Sequence, residues 1–221
     1  MNLIAIEAAT EACSVALRVD DTVLARHEVA PRKHAELVLP MVDGLLKEAG
    51  LRLADLDALA FGRGPGAFTG VRIAAGVVQG LAFGTQKPVI PISTLAALAQ
   101  GAASGSTSIA AAIDARMGEV YWGLFTVGTD GLVVAAGEER VCKADSLEVP
   151  KGRDWFGVGT GWGTYGDMLS GRFGERLKGA AGDRLPTARE VLQLAAREFE
   201  AGRTVTAEEA LPVYLRHPIA S

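Results

Sequence analysis

The sequence predicts an α/β protein of two related halves. Apolar segments of strand length alternate along the chain with segments of helical periodicity, a pattern typical of α/β folds. Two predicted β-hairpins also resemble each other. In the first, Ile6-Glu7-Ala8 leads across a turn to a strand that ends at Leu17, and in the second, Ile113-Asp114-Ala115 leads across a turn to a strand that ends at Leu124. The sequence separation from Ile6 to Leu17 equals that from Ile113 to Leu124. In both hairpins an apolar strand ends in an acidic residue. We interpret the chain as a duplicated fold, with coincidence between two apolar hairpins as the alternative.

A small and polar stretch separates the two halves. It runs Gln100-Gly-Ala-Ala-Ser-Gly-Ser-Thr-Ser108, and such residues are typical of a linker. We therefore predict an N-terminal domain of residues 1–104 and a reduced, less regular C-terminal domain of residues 105–221.

The N-terminal half begins with three strands that form an antiparallel meander. In the helix that follows, apolar residues recur at helical spacing, Gly50 supplies the C-terminal cap, and Pro40 either kinks the helix or marks its start. A strand, a glycine-rich loop, a second helix, another strand and a short helix capped by Ser93 complete this half. The predicted strands are 2–8, 12–19, 23–29, 56–61 and 88–92, and the predicted helices are 34–49, 69–84 and 94–99.

The C-terminal half has weaker signals after its hairpin. We predict strands near 132–141 and 155–158, a helix around 165–169, and a clear helix over 187–201 that Pro186 starts. The run Gly157-Val-Gly-Thr-Gly-Trp-Gly163 lacks the lysine of a P-loop, and Trp162 stands where a dinucleotide fingerprint requires its last glycine. We interpret this run as a turn before the helix.

The composition excludes several classes of protein. The chain has 221 residues, of which 49% are hydrophobic, and a net charge of −4, so it shows no global basic signature of a nucleic-acid binder. The two cysteines, Cys13 and Cys142, match no metal or redox spacing, which favours a reducing compartment. The N-terminus shows neither the basic nor the long apolar segment of a secretion signal. We expect a cytoplasmic protein.

The second helix is the most informative element of the sequence. No charged side chain lies between Arg72 and Lys87, whereas a surface helix normally keeps a polar face. Its apolar face carries Val71, Ala75, Val78 and Ala82, and we predict that a partner covers these side chains. The alternative is that the helix is sandwiched inside its own domain.

Glycines recur every four residues on another stripe of this helix. Gly76, Gly80 and Gly84 each lower helix propensity by roughly 1 kcal/mol relative to alanine, so their presence indicates close approach of another backbone.

The loop before the helix is rich in glycine and proline. We predict that Thr69 caps the helix and that Arg72 donates hydrogen bonds to the carbonyls of this loop. The residues assigned to this structural role are Gly64, Pro65, Gly66, Thr69, Gly70 and Arg72.

No catalytic constellation is evident. Glu7 and Asp114 are candidates for paired carboxylates around a nucleotide phosphate and its metal. A phosphate site would place hydroxyl groups or glycines beside Glu7, but Ala8 and Ala9 follow it, so we favour a structural carboxylate. Neither H-E-x-x-H nor G-x-S-x-G occurs. We predict no catalytic residue, no cofactor and no metal.

Three motifs are similar to those of a known family. Gly64-Pro-Gly-Ala-Phe-Thr-Gly-Val-Arg72, Ile113-Asp-Ala-Arg116 with Glu119-Val-Tyr121, and Pro212-Val-Tyr-Leu-Arg216 occur in the order typical of the bacterial TsaB (YeaZ) family of tRNA threonylcarbamoyladenosine biosynthesis proteins. The resemblance runs nearly end to end. It implies the actin-like ATPase (ASKHA) fold, with two βββαβα-type halves.

The resemblance also implies a noncatalytic role. Such a protein is a scaffold that activates a TsaD-type paralogue, the enzyme that transfers a threonylcarbamoyl group to tRNA beside the anticodon, and a TsaE-type ATPase joins the pair. The helical interface would include Leu37 and Met41 of the first helix together with the apolar face of the second. We expect a homodimer when the chain is alone, contact with tRNA only through the complex, and no membrane association. A small ATPase or kinase of the same fold is the alternative.

Two departures fit a pseudoenzyme. The stretch that matches the paralogue's metal-binding helix, Pro91–Leu98, carries no metal ligand. Glu7-Ala8-Ala9 also replaces the Asp-Thr-Ser that is usual in the family after the first strand.

Overall fold

The computed structural model describes residues 1–216, which divide into two compact units. The first unit comprises Met1–Ala97 with Pro186–Val213, and the second comprises Leu98–Leu185 with the segment from Tyr214 onward. The strands are β1 Asn2–Glu7, β2 Ala12–Val19, β3 Thr22–Val29, β4 Ala58–Gly62, β5 Val89–Ile92, β6 Ser108–Arg116, β7 Glu119–Val127, β8 Val133–Ala135, β9 Arg140–Lys143, β10 Trp155–Val158 and β11 Leu177–Ala181. The helices are α1 His34–Ala49, α2 Phe68–Thr85, α3 Thr94–Gln100, α4 Thr160–Phe173 and α5 Ala188–Glu200.

The two sheets have the same strand order. The first runs β3-β2-β1-β4-β5, and the second runs β8-β7-β6-β10-β11 with β9 also paired to β7. In each, a hairpin of antiparallel strands is followed by two strands parallel to the first. This shared topology confirms the prediction of an α/β fold with two related halves.

The predicted domain boundaries need a correction. The chain leaves the first unit between Ala97 and Leu98, close to the predicted division at residue 104, but it returns there at Pro186. Helix α5 is the reason, because its apolar stripe, which includes Val191 and Leu192, is buried against strands β1, β2, β4 and β5. Residues 186–213 therefore belong with the N-terminal half rather than with 105–185.

The two faces of the first sheet differ in side-chain size. Large apolar residues such as Ile4, Ile6 and Phe61 form one core cluster with α1 and α2. The alternate residues of β2 and β4 are small, and Ala5 of β1 pairs with Ala16 on one side and Ala60 on the other. This alanine-rich face lies under α5, because side chains alternate between the faces of a sheet. Small residues permit close packing of α5.

Helix α2 buries the face that the sequence analysis assigned to a partner. Val71, Ala75, Val78 and Ala82 are each at most 3% exposed and belong to the core of the first unit. For these four residues, the alternative that the helix packs inside its own domain is therefore correct. The large side chains of β1 and β4 require an apolar cover on this side of the sheet. Within residues 1–216, no helix combines the length and hydropathy needed to cross a membrane.

Most predicted elements of the first unit are confirmed, with one wrong cap. Helix α1 spans the predicted residues and ends at Gly50 in the left-handed conformation, and it continues through Pro40. Thr69 is not a cap, since α2 begins one residue earlier at Phe68 and Ala67 occupies the N-cap position without a side-chain hydrogen bond.

The second unit has no helix that corresponds to α1. A 3₁₀ turn at Ala144–Ser146 and an irregular segment connect β9 to β10, and Leu147 of this segment is buried. Four aromatic residues fill the adjacent core, with ring centroids 5.3–6.5 Å apart: Trp122, Trp155, Trp162 and Phe173. Helix α4 starts at Thr160, before the predicted 165–169 helix, and is kinked at Tyr165, where φ is −121° and ψ is 27°.

A pair of charge substitutions in α2 tests the burial of Val78. Val78→Glu places an unpaired carboxylate at a position that is 0% exposed, so we expect the free energy of unfolding to fall by about 3–5 kcal/mol. Gly80→Glu is the matched control, since a Cβ there meets no atom within 4 Å. Thermal unfolding followed by circular dichroism measures both. Equal melting temperatures for the two variants would contradict the placement of Val78 in the core.

Candidate partner-binding face

The solvent face of α2 carries large apolar side chains and glycines. Phe68 and Phe83 are 65% and 72% exposed, an unusual degree for aromatic residues in a soluble helix. Gly76 and Gly80 lie between them and Gly84 follows Phe83, and a Cβ at any of the three would meet no neighbouring atom within 4 Å. The predicted close approach of another backbone therefore does not occur within residues 1–216. Gly76 and Gly80 therefore leave the helix backbone without side-chain cover between two exposed aromatic residues.

Arg72 is the cation at the start of this face. Its guanidinium lies over the Phe68 ring, 3.1 Å from the ring centroid, and its Nη1 donates to the Phe68 carbonyl at 3.5 Å. Stacking on the ring orients the planar guanidinium. Arg72 thus contacts the carbonyl and the exposed ring of Phe68, the first residue of α2.

Helix α1 adjoins α2 and adds a second apolar strip. Leu37 and Met41, which the sequence analysis assigned to the interface, are half-buried and pack against the core of the first unit. Leu39, which that analysis omitted, is 49% exposed. Its signal in the sequence is an apolar residue on the otherwise polar side of the helix, next to Pro40.

The glycine-rich loop fixes the start of α2 against the first hairpin. The Ala67 N–H donates to the Ala9 carbonyl at 2.7 Å. A Cβ at Gly66 or Gly70 would overlap the backbone of Ala9 or Ala8, so only glycine permits this approach. The loop residues Gly64, Pro65 and Gly70 are buried, whereas Thr69 is exposed.

Glu7, the first of the two predicted carboxylates, ends strand β1. Glu7 is fully buried, with 0% of its surface exposed. Oε1 accepts the Ala9 N–H at 2.7 Å, and Oε2 accepts the Thr94 hydroxyl at 3.1 Å. Burial raises the pKa of the carboxyl to about 7, although these hydrogen bonds oppose the shift. Ala8, Ala9 and Thr10 are buried as well, so this turn presents no open surface.

Asp114, the second predicted carboxylate, has a different environment. Its Oδ1 accepts the Tyr165 hydroxyl at 3.3 Å and the Arg116 N–H at 2.8 Å, and its Oδ2 lies 3.2 Å from Arg116 Nη1. The Thr160 hydroxyl accepts its backbone N–H at 3.0 Å. Asp114 thus stabilises the β6–β7 turn and the start of α4. Sequence analysis missed Thr94, Thr160 and Tyr165, because isolated hydroxyl residues carry no spacing signal.

The described part of the chain contains no group of three or more His, Cys, Asp or Glu side chains placed to hold a metal ion. Cys13 and Cys142 are free thiols, and burial raises the pKa of both. Neither thiol therefore has the depressed pKa of an activated nucleophile.

Comparisons with known proteins agree with the motifs. Residues 27–154 match the family described as "TsaD: tRNA N6-adenosine threonylcarbamoyltransferase". The chain is 45% identical to tRNA threonylcarbamoyladenosine biosynthesis protein TsaB of Escherichia coli (strain K12), over 100% of this chain and 96% of that protein. The protein of the same name from Haemophilus influenzae is 41% identical over 99% of this chain and 95% of its own length.

A solved structure extends the agreement to the fold. YeaZ from Pseudomonas aeruginosa is 51% identical and superposes with a TM-score of 0.91, covering 97% of this chain and 99% of that one. The two sheets of equal strand order are consistent with the actin-like fold that the motifs implied. The chain therefore belongs to the TsaB (YeaZ) family of tRNA threonylcarbamoyladenosine biosynthesis proteins.

Proposed function

We propose that this protein is a noncatalytic subunit that binds and activates a TsaD-type threonylcarbamoyltransferase during tRNA threonylcarbamoyladenosine synthesis. A TsaE-type ATPase joins the complex, and tRNA contacts this chain only through the complex. The protein works in the cytoplasm, where tRNA is modified. The single observation that carries the proposal is the solvent face of α2, which presents Phe68, Phe83 and three helical glycines to water.

Physical chemistry favours coverage of this face by another protein. Exposed aromatic side chains in contiguous apolar surface mark protein interfaces, and aromatic residues dominate their binding energy. A glycine in an exposed helix destabilises the helix by roughly 0.5–1 kcal/mol relative to alanine. Keeping three of them where an added Cβ would meet no neighbouring atom among the described residues favours a partner that approaches the backbone closely.

The proposed interface consists of the exposed sides of α1 and α2. It includes Leu39 of α1 and Phe68, Arg72, Gly76, Gly80, Phe83 and Gly84 of α2, with Leu37 and Met41 at its buried margin. A standard interface buries about 800 Å² per partner, which two adjacent helices can supply. Without the enzyme, the same apolar surface favours a two-fold homodimer.

The surroundings of Glu7 support the noncatalytic role. Phosphate sites at such turns use backbone N–H groups that point at the anion. Here the Ala9 N–H and the Thr94 hydroxyl already bond the Glu7 carboxylate, and the residues of the turn are buried. A nucleotide phosphate would have to displace this carboxylate.

Reconstitution with purified components tests the function. We expect threonylcarbamoyl transfer to tRNA by the TsaD-type and TsaE-type proteins to fall by at least about tenfold when this chain is omitted, because an activating subunit lowers the barrier by 1.4 kcal/mol or more. The chain alone should release no phosphate from magnesium ATP above the buffer background. Equal transfer rates with and without the chain, or a turnover abolished by Glu7→Gln, would overturn the proposal.

Alanine substitutions at two of the helical glycines should have opposite effects on the stability of the fold and on partner binding. In Gly76→Ala/Gly80→Ala we expect the free energy of unfolding to rise by about 1–2 kcal/mol, because each Cβ enters open space and improves helix propensity. Partner affinity should fall by about tenfold or more, since the added methyl groups keep the partner at a distance. Thermal unfolding and titration calorimetry measure the two quantities.

The matched control for this pair lies in α4. Gly171 is exposed and a Cβ there also meets nothing within 4 Å, so Gly171→Ala should stabilise the fold and leave affinity unchanged. Unchanged affinity in the α2 double variant would place the interface elsewhere.

Truncation of Phe83 measures the contribution of this aromatic side chain to partner binding. Phe83→Ala should weaken partner binding by roughly 30-fold, the effect of a 2 kcal/mol hot spot, while the melting temperature stays nearly constant because the side chain is 72% exposed. Met168→Ala in α4, at a residue 56% exposed, is the control with normal binding. If the two variants bind alike, Phe83 is not an anchor.

A further inference from the structure

The geometry points to a carboxyl-binding site at the turn after β1, occupied by the chain's own Glu7 side chain. The Glu7 side chain is the internal ligand of this site, and a small carboxylate would bind there once it is removed. This inference concerns the folded chain alone. It is independent of the partner, so its failure and the failure of the proposed function are distinguishable.

The site is built from donors on two segments of the first unit. The Ala9 N–H donates to one carboxylate oxygen at 2.7 Å, and the Thr94 hydroxyl donates to the other at 3.1 Å. Thr94 is itself 0% exposed, and its oxygen accepts the Gly64 N–H at 3.2 Å. The donors are therefore oriented by further hydrogen bonds.

The shape of the site matches a carboxylate. A Cβ at Gly62 on β4 would overlap the Glu7 carboxyl group, so the absence of a side chain at this position creates the volume that the group fills. A group held in a recess by one donor to each oxygen is arranged as a bound ligand, rather than as a surface side chain.

The carboxylate has no countercharge among residues 1–216, since none of the ion pairs there involves Glu7. The charged group that acts on it from the packed elements is Glu190 of α5, which raises its pKa further. Ser14 on β2 contributes only a weak hydrogen bond, at 3.5 Å, to the Glu7 carbonyl. Dipoles of the N–H and O–H groups, rather than a cation, therefore hold the carboxyl group, and they only partly offset the effect of burial on its pKa.

Occupation of this site connects β1 to the start of α2. Thr94 bonds Glu7 through its hydroxyl and Gly64 through both its oxygen and its backbone N–H, the latter at 2.9 Å. Gly64 opens the loop that leads into α2. The internal ligand thus holds the loop closed, and an empty site should loosen it.

Chemical rescue tests the inference. Glu7→Ala removes the atoms of one acetate molecule and leaves the donors of Ala8, Ala9 and Thr94 without the carboxyl group, so the melting temperature should fall by several degrees. Acetate at neutral pH should then raise it by about 3–6 °C for each tenfold increase above its Kd. Glu7→Gly extends the vacated space by one carbon, so propionate should rescue that variant better than acetate does.

Matched controls exclude a general salt effect. Chloride at equal ionic strength should not rescue Glu7→Ala, and acetate should not stabilise the wild-type chain or Glu7→Gln, whose side chains fill the site. Equal stabilisation of Glu7→Ala, Glu7→Gln and the wild-type chain by acetate, or no rescue of a folded Glu7→Ala, would overturn the inference. If Glu7→Ala folds only when acetate is present, the inference is supported.

The pH dependence of stability provides a readout if neither small variant folds. The pKa of Glu7 rises from 4.5 to about 7 on folding, so the folded chain binds more protons in this window. The wild-type melting temperature should therefore fall as pH rises from 4.5 to 7, and this slope should be lost in Glu7→Gln. Thr94→Val removes one donor to the charged form, so the fall should continue above pH 7. An unchanged pH profile in Thr94→Val would contradict the proposed role of its hydroxyl.

Discussion

The Glu7 carboxylate is the constraint on which the first unit depends. A buried carboxyl group without a countercharge must find donors, and this one finds them on the turn after β1 and at the start of α3. Thr94 transmits the constraint to Gly64, and the loop from Gly64 to Gly70 then lies so close to Ala8 and Ala9 that side chains at Gly66 and Gly70 are excluded. The position of α2 follows from these contacts.

Helix α2 illustrates how a correct inference from composition can select the wrong side chains. The lack of charge between Arg72 and Lys87 indicates an apolar helix, but both of its faces satisfy that description. Tertiary packing decides between them, because β1 and β4 present large residues that branched side chains such as Val78 can cover. The glycines remain outside, where they leave the backbone accessible.

The fold was predictable from the sequence to the extent that local signals agreed with tertiary packing. Helix α1 and strand β10 span the predicted residues, because caps and apolar runs mark their ends. Strand β11 was missed, since Lys178 and Gly179 interrupt its apolar pattern and most of it is only half-buried. The hydrogen bonds of Glu7 were also missed, because Thr94 lies 87 residues away and only the folded sheet brings the two together.

The two units share a strand order but differ in what covers their sheets. In the first unit, α1 and α2 lie side by side and leave apolar surface exposed. In the second, no α-helix lies between β9 and β10 among the described residues, and the large rings of Trp122, Trp155 and Trp162 occupy the core with Phe173 instead. These aromatic rings are buried in the core of the second unit, and Met168 is the only large apolar residue that α4 exposes to solvent. A duplicated fold that offers a two-helix apolar face in one half alone is thus suited to binding a partner through that half.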